Sequence, residues 1–227
     1  MARKKNFAII GIGAFGNAVA KELFSKKSIV TVIDSNERLV SNFISQFPNA
    51  DSIIMDTTIS KALTSYGIKN FDAVILTISS ELESSILTVI ALKEAGVKNI
   101  IAKARDSRHA KILEQLGVKN IILRDEISGQ ITAMKAMFGI NTNIHLVDDN
   151  FVALEVIVEN VDFDGKSLGE NNLWNIPNFN ITHITRDKKV ELAKEESKIL
   201  IGDKLFIISK VEKINDIQDY FKNASSN

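Results

Sequence analysis

Phe7-Ala8-Ile9-Ile10-Gly11-Ile12-Gly13-Ala14-Phe15-Gly16, FAIIGIGAFG in one-letter form, is the stretch on which the fold turns. Four apolar residues in succession suit a strand buried on both faces, and glycines at 11, 13 and 16 follow before an amphipathic stretch begins. That spacing has a mechanical reading. Gly11 permits a tight turn, Gly13 lets the backbone approach a pyrophosphate, and Gly16 lets the next helix pack close to the strand. Phosphates would then meet free N–H groups at a helix N-terminus. Arg3, Lys4 and Lys5 ahead of the run imitate a secretory signal ending at Ala18-Val19-Ala20, but the glycines interrupt the apolar stretch such a signal needs.

Moving outward, short apolar runs recur at Ile29 to Ile33, Ser52 to Met55, Ala73 to Leu76, Ile100 to Ala102 and Ile121 to Leu123. Amphipathic stretches lie between them, among them Glu81 to Glu94 and Ser107 to Leu116. This is a βαβ series, and it predicts an α/β fold with a doubly wound parallel sheet. A repeated connector supports it: Gly67-Ile68-Lys69-Asn70, Gly96-Val97-Lys98-Asn99 and Gly117-Val118-Lys119-Asn120 each read as a helix stopped by a left-handed glycine before a buried strand. The periodicity predicts a helix over Asp125 to Met137, stopped by Gly139, with a hinge over Gly139 to Asn143. The texture then changes. Val152 to Glu159 alternates, Ile181 to Thr185 and Val190 to Leu192 flank a hairpin turn, and Leu205 to Ile208 precedes a last helix over Glu212 to Phe221 and a polar tail, Asn223 to Asn227. Two domains are expected, 1–139 and 140–227, the second a small α+β unit without a parallel sheet.

Composition sets limits. With 45% hydrophobic and 25% charged residues in 227, the chain can build a sizeable core, which excludes wholesale disorder. Lysine plus arginine and aspartate plus glutamate both number 28, so there is no net field to hold nucleic acid or an anionic membrane. The charge is uneven, with 18 basic against 13 acidic residues up to Gly139 and 10 against 15 after it, making the first part the anion binder. The absence of cysteine excludes disulfides, thiolate metal sites and cysteine nucleophiles, and fits a reducing, cytoplasmic setting. No apolar run approaches the roughly 18 residues of a membrane span.

Asp34 ends the second apolar run, near the separation of about 20 residues at which a carboxylate reaches a ribose hydroxyl pair. It argues against NADP, whose 2′-phosphate it would repel, and leaves NAD, ATP, ADP and AMP open. No P-loop is present. Other candidates stand where parallel strands end, the edge at which open α/β sheets bind ligands: Ser35 beside Asp34, Asp56-Thr57-Thr58, Thr77-Ile78-Ser79, and Lys103 and Arg105 as phosphate neutralisers. Asp125 and Glu126 offer carboxylates for a divalent cation, although the helix dipole alone also explains an acidic pair at a helix start. His109, His145 and His183 lack ligand spacing, and no serine sits in a nucleophile elbow, so no catalytic constellation emerges. An NAD-dependent oxidoreductase remains the competing class, since the same glycines and Asp34 would serve it.

These residues resemble a family, the cytosolic regulatory subunits of Ktr and Trk potassium-uptake systems, which are built from RCK domains. The likeness rests on FAIIGIGAFG, Val32-Ile33-Asp34, Tyr66-Gly67-Ile68 before Phe71-Asp72-Ala73-Val74-Ile75, Lys103-Ala104, and Lys111 to Gly117 leading to Ile121-Ile122. It implies a Rossmann-like N-terminal domain, a smaller RCK C-terminal domain and a regulator rather than an enzyme. It further implies ATP or ADP, or NAD(H) in the Trk branch, held by Gly11, Ile12, Gly13, Ala14, Phe15 and Gly16, with Asp34 at the ribose and Asp56 to Thr58 toward the adenine. Dimers assembling to an octameric ring beneath an integral-membrane potassium-translocating subunit are implied too, as is peripheral placement at the inner face of the membrane. The likeness adds magnesium at Asp125 and cyclic di-AMP at the C-terminal domain, near Trp174 to Ile181. Two departures stand out: Ala14 where the Ktr branch carries arginine, and Arg124-Asp125 where the family has proline and glutamate.

Overall fold

The computed structural model describes residues 3–48, 50–138, 143–148, 150–174, 176–177 and 179–222. The chain divides into two compact units, Met1–Glu126 and Ile127–Asn227. In the first, strands and helices alternate: β1 (Asn6–Ile10), α1 (Ala14–Ser25), β2 (Ile29–Asp34), α2 (Glu37–Gln46), β3 (Asp51–Ile54), α3 (Ser60–Tyr66), β4 (Ala73–Leu76), α4 (Leu82–Glu94), β5 (Ile100–Lys103), α5 (Ser107–Gln115) and β6 (Asn120–Ile122). All six strands pair in parallel in the order β3-β2-β1-β4-β5-β6. The order reverses between β1 and β4, which opens a crevice at the ends of those strands.

Alternation along each strand divides the apolar runs between two faces. Ile9, Val30, Val32 and Ile75 join a core containing Ala20 of α1 and Phe43 of α2. Ala8, Ile10, Ile33, Val74 and Leu76 join another containing Leu63, Val89, Leu92 and Leu113 of α3, α4 and α5. That is why these strands read as continuous apolar runs instead of alternating ones. Each fully buried Ile, Leu or Val is worth ~1.5 to 3 kcal/mol before entropy is charged. The three repeated connectors do what their sequence implies: Gly67, Gly96 and Gly117 have φ of 78°, 80° and 78°, left-handed values that a side chain would strain.

Helix α6 (Arg124–Phe138) begins in the first unit and continues into the second. Most of the expected hinge, residues 139–142, and the expected polar tail, residues 223–227, lie outside the described residues. The second unit holds β7 (Ile144–Leu146), β8 (Phe151–Ile157), β9 (Phe179–Arg186), β10 (Lys189–Leu192), β11 (Lys204–Lys210) and α7 (Ile214–Lys222). Its sheet is antiparallel, in the order β10-β9-β11-β8-β7. Strand β7 went unrecognised in the sequence because three residues carry too little period to declare a strand.

The β9–β10 turn is two residues long, Asp187-Lys188, at φ of 49° and 65°. Positive φ at both positions matches the right-handed twist of the flanking strands. Ile214, Ile217 and Phe221 of α7 bury one side of the sheet's core, while Val190 and Leu192 at its β10 edge remain exposed. Asp203, 2% exposed at its side chain, receives Nε and Nη2 of Arg186 at 2.7 and 2.6 Å. The pair holds Arg186 to its charge, raising its pKa.

Candidate functional site

A cavity of about 450 Å³ opens where the parallel strands end. Its floor is the glycine loop, and the three glycines there differ in why they are glycine. Gly11 has φ of 91°, and a Cβ on it would lie 2.8 Å from Thr77 Oγ1. At Gly16 a Cβ would lie 2.0 Å from the Gly11 carbonyl oxygen, a distance no side chain tolerates, so close passage of α1 over β1 requires it. A Cβ at Gly13 would meet nothing within 4 Å: its space belongs to the cavity. Gly13 also caps α1 without a side-chain hydrogen bond, leaving the first-turn N–H groups to another partner. The Thr77 hydroxyl donates to the Gly11 carbonyl and, at 3.1 Å, to that of Ile10, fastening the loop to β4.

Asp34 sits at the end of β2 and braces the same loop. Its Oδ2 accepts the Ile12 N–H at 2.8 Å and its Oδ1 the Asn36 N–H at 2.8 Å. Each oxygen keeps capacity for a further donor, as a ribose hydroxyl pair requires. Ser35, Asn36 and Leu39 line the wall beside it. At the end of β3, the Thr58 hydroxyl and N–H both donate to Asp56 Oδ1, at 2.6 and 3.0 Å, and hold the Asp56 carboxyl below the usual carboxylate range. Thr57 is buried, its hydroxyl 3.0 Å from that of Thr88 on α4.

The opposite wall comes from β4, β5 and the start of α6. Ile78 and Ser79 follow Thr77, and the Lys103 ammonium donates to Ser79 Oγ at 2.7 Å while lying 5.7 Å from the Phe15 ring centroid. Among the described residues Lys103 has no ion pair with a carboxylate. Ala14 lies in the floor beside Phe15.

Three expected residues stand elsewhere. Ile12 packs its side chain into the α1–α2 core, and its N–H is taken by Asp34, so it offers nothing to a phosphate. Arg105 is exposed: its Nε donates to Asp106 at 3.1 Å, and its N–H donates to Nδ1 of His109 at 3.1 Å, which turns the chain away from the cavity. Asp125 does not line the cavity either; its Oδ1 is ion-paired to Arg124, and no cluster of three His, Cys, Asp or Glu side chains exists among the described residues. His109 is buried, and burial pushes its pKa down; its Nε2 has no hydrogen-bond partner among the described residues.

The N-terminal unit, residues 7–124, matches the TrkA-N domain family, and residues 152–222 match the TrkA-C domain family. The Ktr system potassium uptake protein A of Bacillus subtilis is 32% identical over 171 residues, covering 75% of this chain and 76% of that protein. This chain belongs to the Ktr/Trk family of RCK regulatory subunits. Within the family, the Ktr system potassium uptake protein A of Vibrio alginolyticus is 29% identical over 214 residues, covering 92% of this chain and 94% of the relative. Among solved structures, the GsuK channel bound to NAD shares the fold at a TM-score of 0.65 and 15% identity, over 99% of this chain; this chain spans 41% of the channel's length.

Several lining residues lie beyond those that sequence reasoning named as ligands: Asn36, Leu39, Met55, Glu81, Ser84 and Thr88. Asn36 carried a signal, since it caps α2 by accepting the N–H groups of Arg38 and Leu39. Leu39, Ser84 and Thr88 carried none, because whether a helical residue faces a crevice or a neighbour is a matter of how the helix is packed.

Proposed function

We propose that this chain is a nucleotide-responsive regulatory subunit that controls a separate integral-membrane potassium-translocating protein. The observation that carries the reading is the open space at Gly13, between the N-terminus of α1 and the Asp34 carboxylate, in a chain of the Ktr/Trk family. Phosphates would be held by the first-turn N–H groups of α1 with Lys103 as countercharge, and the ribose by Asp34. Leu39 and Met55 offer apolar contact on the adenine side. ATP and ADP are the ligands we favour over NAD, on the positive charge of Lys103 and Arg124 in the far wall.

A bound nucleotide can move the protein between two states only by its differential affinity for them. In this reading the states belong to a ring of like subunits, which passes the change to the membrane partner at the cytoplasmic face. No described helix is long and apolar enough to cross a membrane, so translocation itself is assigned to that partner. For cyclic di-AMP, the place to test is the groove of about 270 Å³ formed by Ile176, Phe179, Ile217 and Tyr220.

The test has two arms. Nucleotide released from the purified protein is identified by mass, and potassium uptake is measured in cells carrying a Ktr membrane subunit with or without this chain. ATP or ADP in the first arm and chain-dependent uptake in the second are expected. Asp34→Ala should weaken every ribose nucleotide by ~1.5 to 3 kcal/mol, the range for hydrogen bonds to a charged group. Steady NADH consumption with a small substrate would overturn the regulatory reading in favour of an oxidoreductase.

A further inference from the structure

Lys103 and Arg105 leave the end of β5 together, and only Lys103 lines the cavity. A short chain of hydrogen bonds holds that arrangement. The ladder of the sheet stops at Lys103, paired with Ile122 of β6, and at the Ala104 N–H, which donates to the Ile122 carbonyl at 3.0 Å. The next donor, the Arg105 N–H, meets no strand and goes to His109 Nδ1 at 3.1 Å. Asp106 then caps α5: its Oδ1 accepts the His109 N–H at 2.9 Å, while its Oδ2 takes the Arg105 Nε.

An aliphatic side chain would fill the place of His109 more cheaply. The residue is 1% exposed, and the other buried residue of α5 is Leu113. Burying a polar ring costs stability unless hydrogen bonds compensate it. Among the described residues the ring accepts a bond from the Arg105 N–H, and Nε2 meets no partner. A backbone N–H can only donate, so Nδ1 presents a lone pair and the neutral ring carries its proton on Nε2. Burial, which lowers the pKa, keeps it in that form.

Lys103 depends on where its backbone points. Its ammonium ends a flexible four-carbon stem, held at the tip by Ser79 Oγ at 2.7 Å and by the face of the Phe15 ring, with no carboxylate beside it among the described residues. The direction of that stem is set at the last residue of β5, which the following turn constrains.

We infer that His109 is a positioning residue for the phosphate site: its Nδ1 lone pair fixes the turn after β5, and that turn aims Lys103 into the cavity and Arg105 away from it. His109 does not itself line the cavity, so it acts through Lys103 and without touching the ligand. The inference rests on the reading of Lys103 as the phosphate countercharge.

A double-mutant cycle of Lys103→Met and His109→Leu tests it, by titration calorimetry of the full chain with ADP and, in a second series, NAD. Lys103→Met is expected to lose about tenfold in affinity, and His109→Leu about three- to tenfold, the scale of one charge-assisted hydrogen bond. The double variant should lose no more than Lys103→Met alone, because the two residues act as one unit. His109→Asn, whose Oδ1 stands where Nδ1 does, should recover binding; His109→Gln, with its acceptor one bond further out, should not. The Arg105 amide should exchange slowly with solvent in the parent and the asparagine variant and fast in His109→Leu. Losses that multiply in the double variant, or parent-like binding by His109→Leu, overturn the positioning role and leave the nucleotide reading standing. Parent-like binding by Lys103→Met removes the countercharge and the inference with it. A parent that binds neither ligand overturns the nucleotide reading as well. If His109→Leu does not fold, the asparagine and glutamine variants decide, equal binding by the two being the result that overturns the role.

Discussion

The two units solve the same problem, covering a sheet, in opposite ways. In the first, helices cover both faces of a parallel sheet, so Ile9, Ile10, Val32, Ile33, Val74 and Leu76 of the central strands β1, β2 and β4 are all buried. Every strand also ends at the same edge, so polar residues placed just after strands converge there from distant points in the sequence. In the second, the antiparallel sheet packs α7 on its core side, while Val190 and Leu192 at the β10 edge stay exposed at 67% and 74%. Its strand ends alternate in direction, so residues placed just after strands are divided between two edges. A site of loop ends thus follows from parallel topology, whereas the second unit offers grooves and faces.

The contrast can be broken most forcefully at Gly16. A valine side chain there begins 2.0 Å from the Gly11 carbonyl oxygen, and Gly16→Val should destabilise the first unit by ~3 kcal/mol or more, as overpacking against backbone does. Hydrogen exchange should find protection lost in β1, β2 and β4 with β8 and β11 still protected; parent-like exchange throughout would refute the role given to Gly16. In the second unit the corresponding fastening is a charge pair. Arg186→Ala strips two donors from the buried Asp203 carboxylate, leaving it the Leu200 N–H, and should cost ~2 kcal/mol, read as a shift in denaturant midpoint.

A smaller effect separates the units by pH. Burial lowers the pKa of His109 below the 6.5 of a free side chain, against the pull of Asp106 and with the push of Arg105. Above about 6.5 both folded and unfolded chains carry it neutral; below, the unfolded chain takes up a proton that the native ring resists. The stability of the first unit is therefore full above that pH and is lost as pH falls toward the folded value. Melting followed between pH 7.5 and about 5.5 should show this slope, and His109→Gln should flatten it. Smallest in stability is Gly13→Val, which meets nothing within 4 Å and should change stability by less than ~0.5 kcal/mol while abolishing nucleotide binding. Retained binding in that variant would make the glycine loop a packing device alone.

Much of the first unit was legible because its signals are local. A strand buried on both sides must be apolar at every position, a left-handed connector must be glycine, and a helix that crosses a strand at Gly16 has no room for a Cβ; each condition is written at the residue it constrains. The short β7 and the two-residue turn at Asp187-Lys188 lacked that property, the first for want of length and the second because neither residue is the glycine that positive φ usually selects. Lys103 and Arg105 mark the limit. Two residues apart with equal charge, they are alike as sequence, yet Lys103 ends β5 and faces the cavity, whereas the chain turns at Ala104 and hands the Arg105 N–H to His109. Sequence determined which segments form the sheet and where its strands end, because periodicity and glycine geometry act over a few residues. Tertiary structure alone decided that Arg124 shares a cavity with Gly13 and that Arg105 does not, because that depends on strand order and on which donors the folded backbone leaves unclaimed.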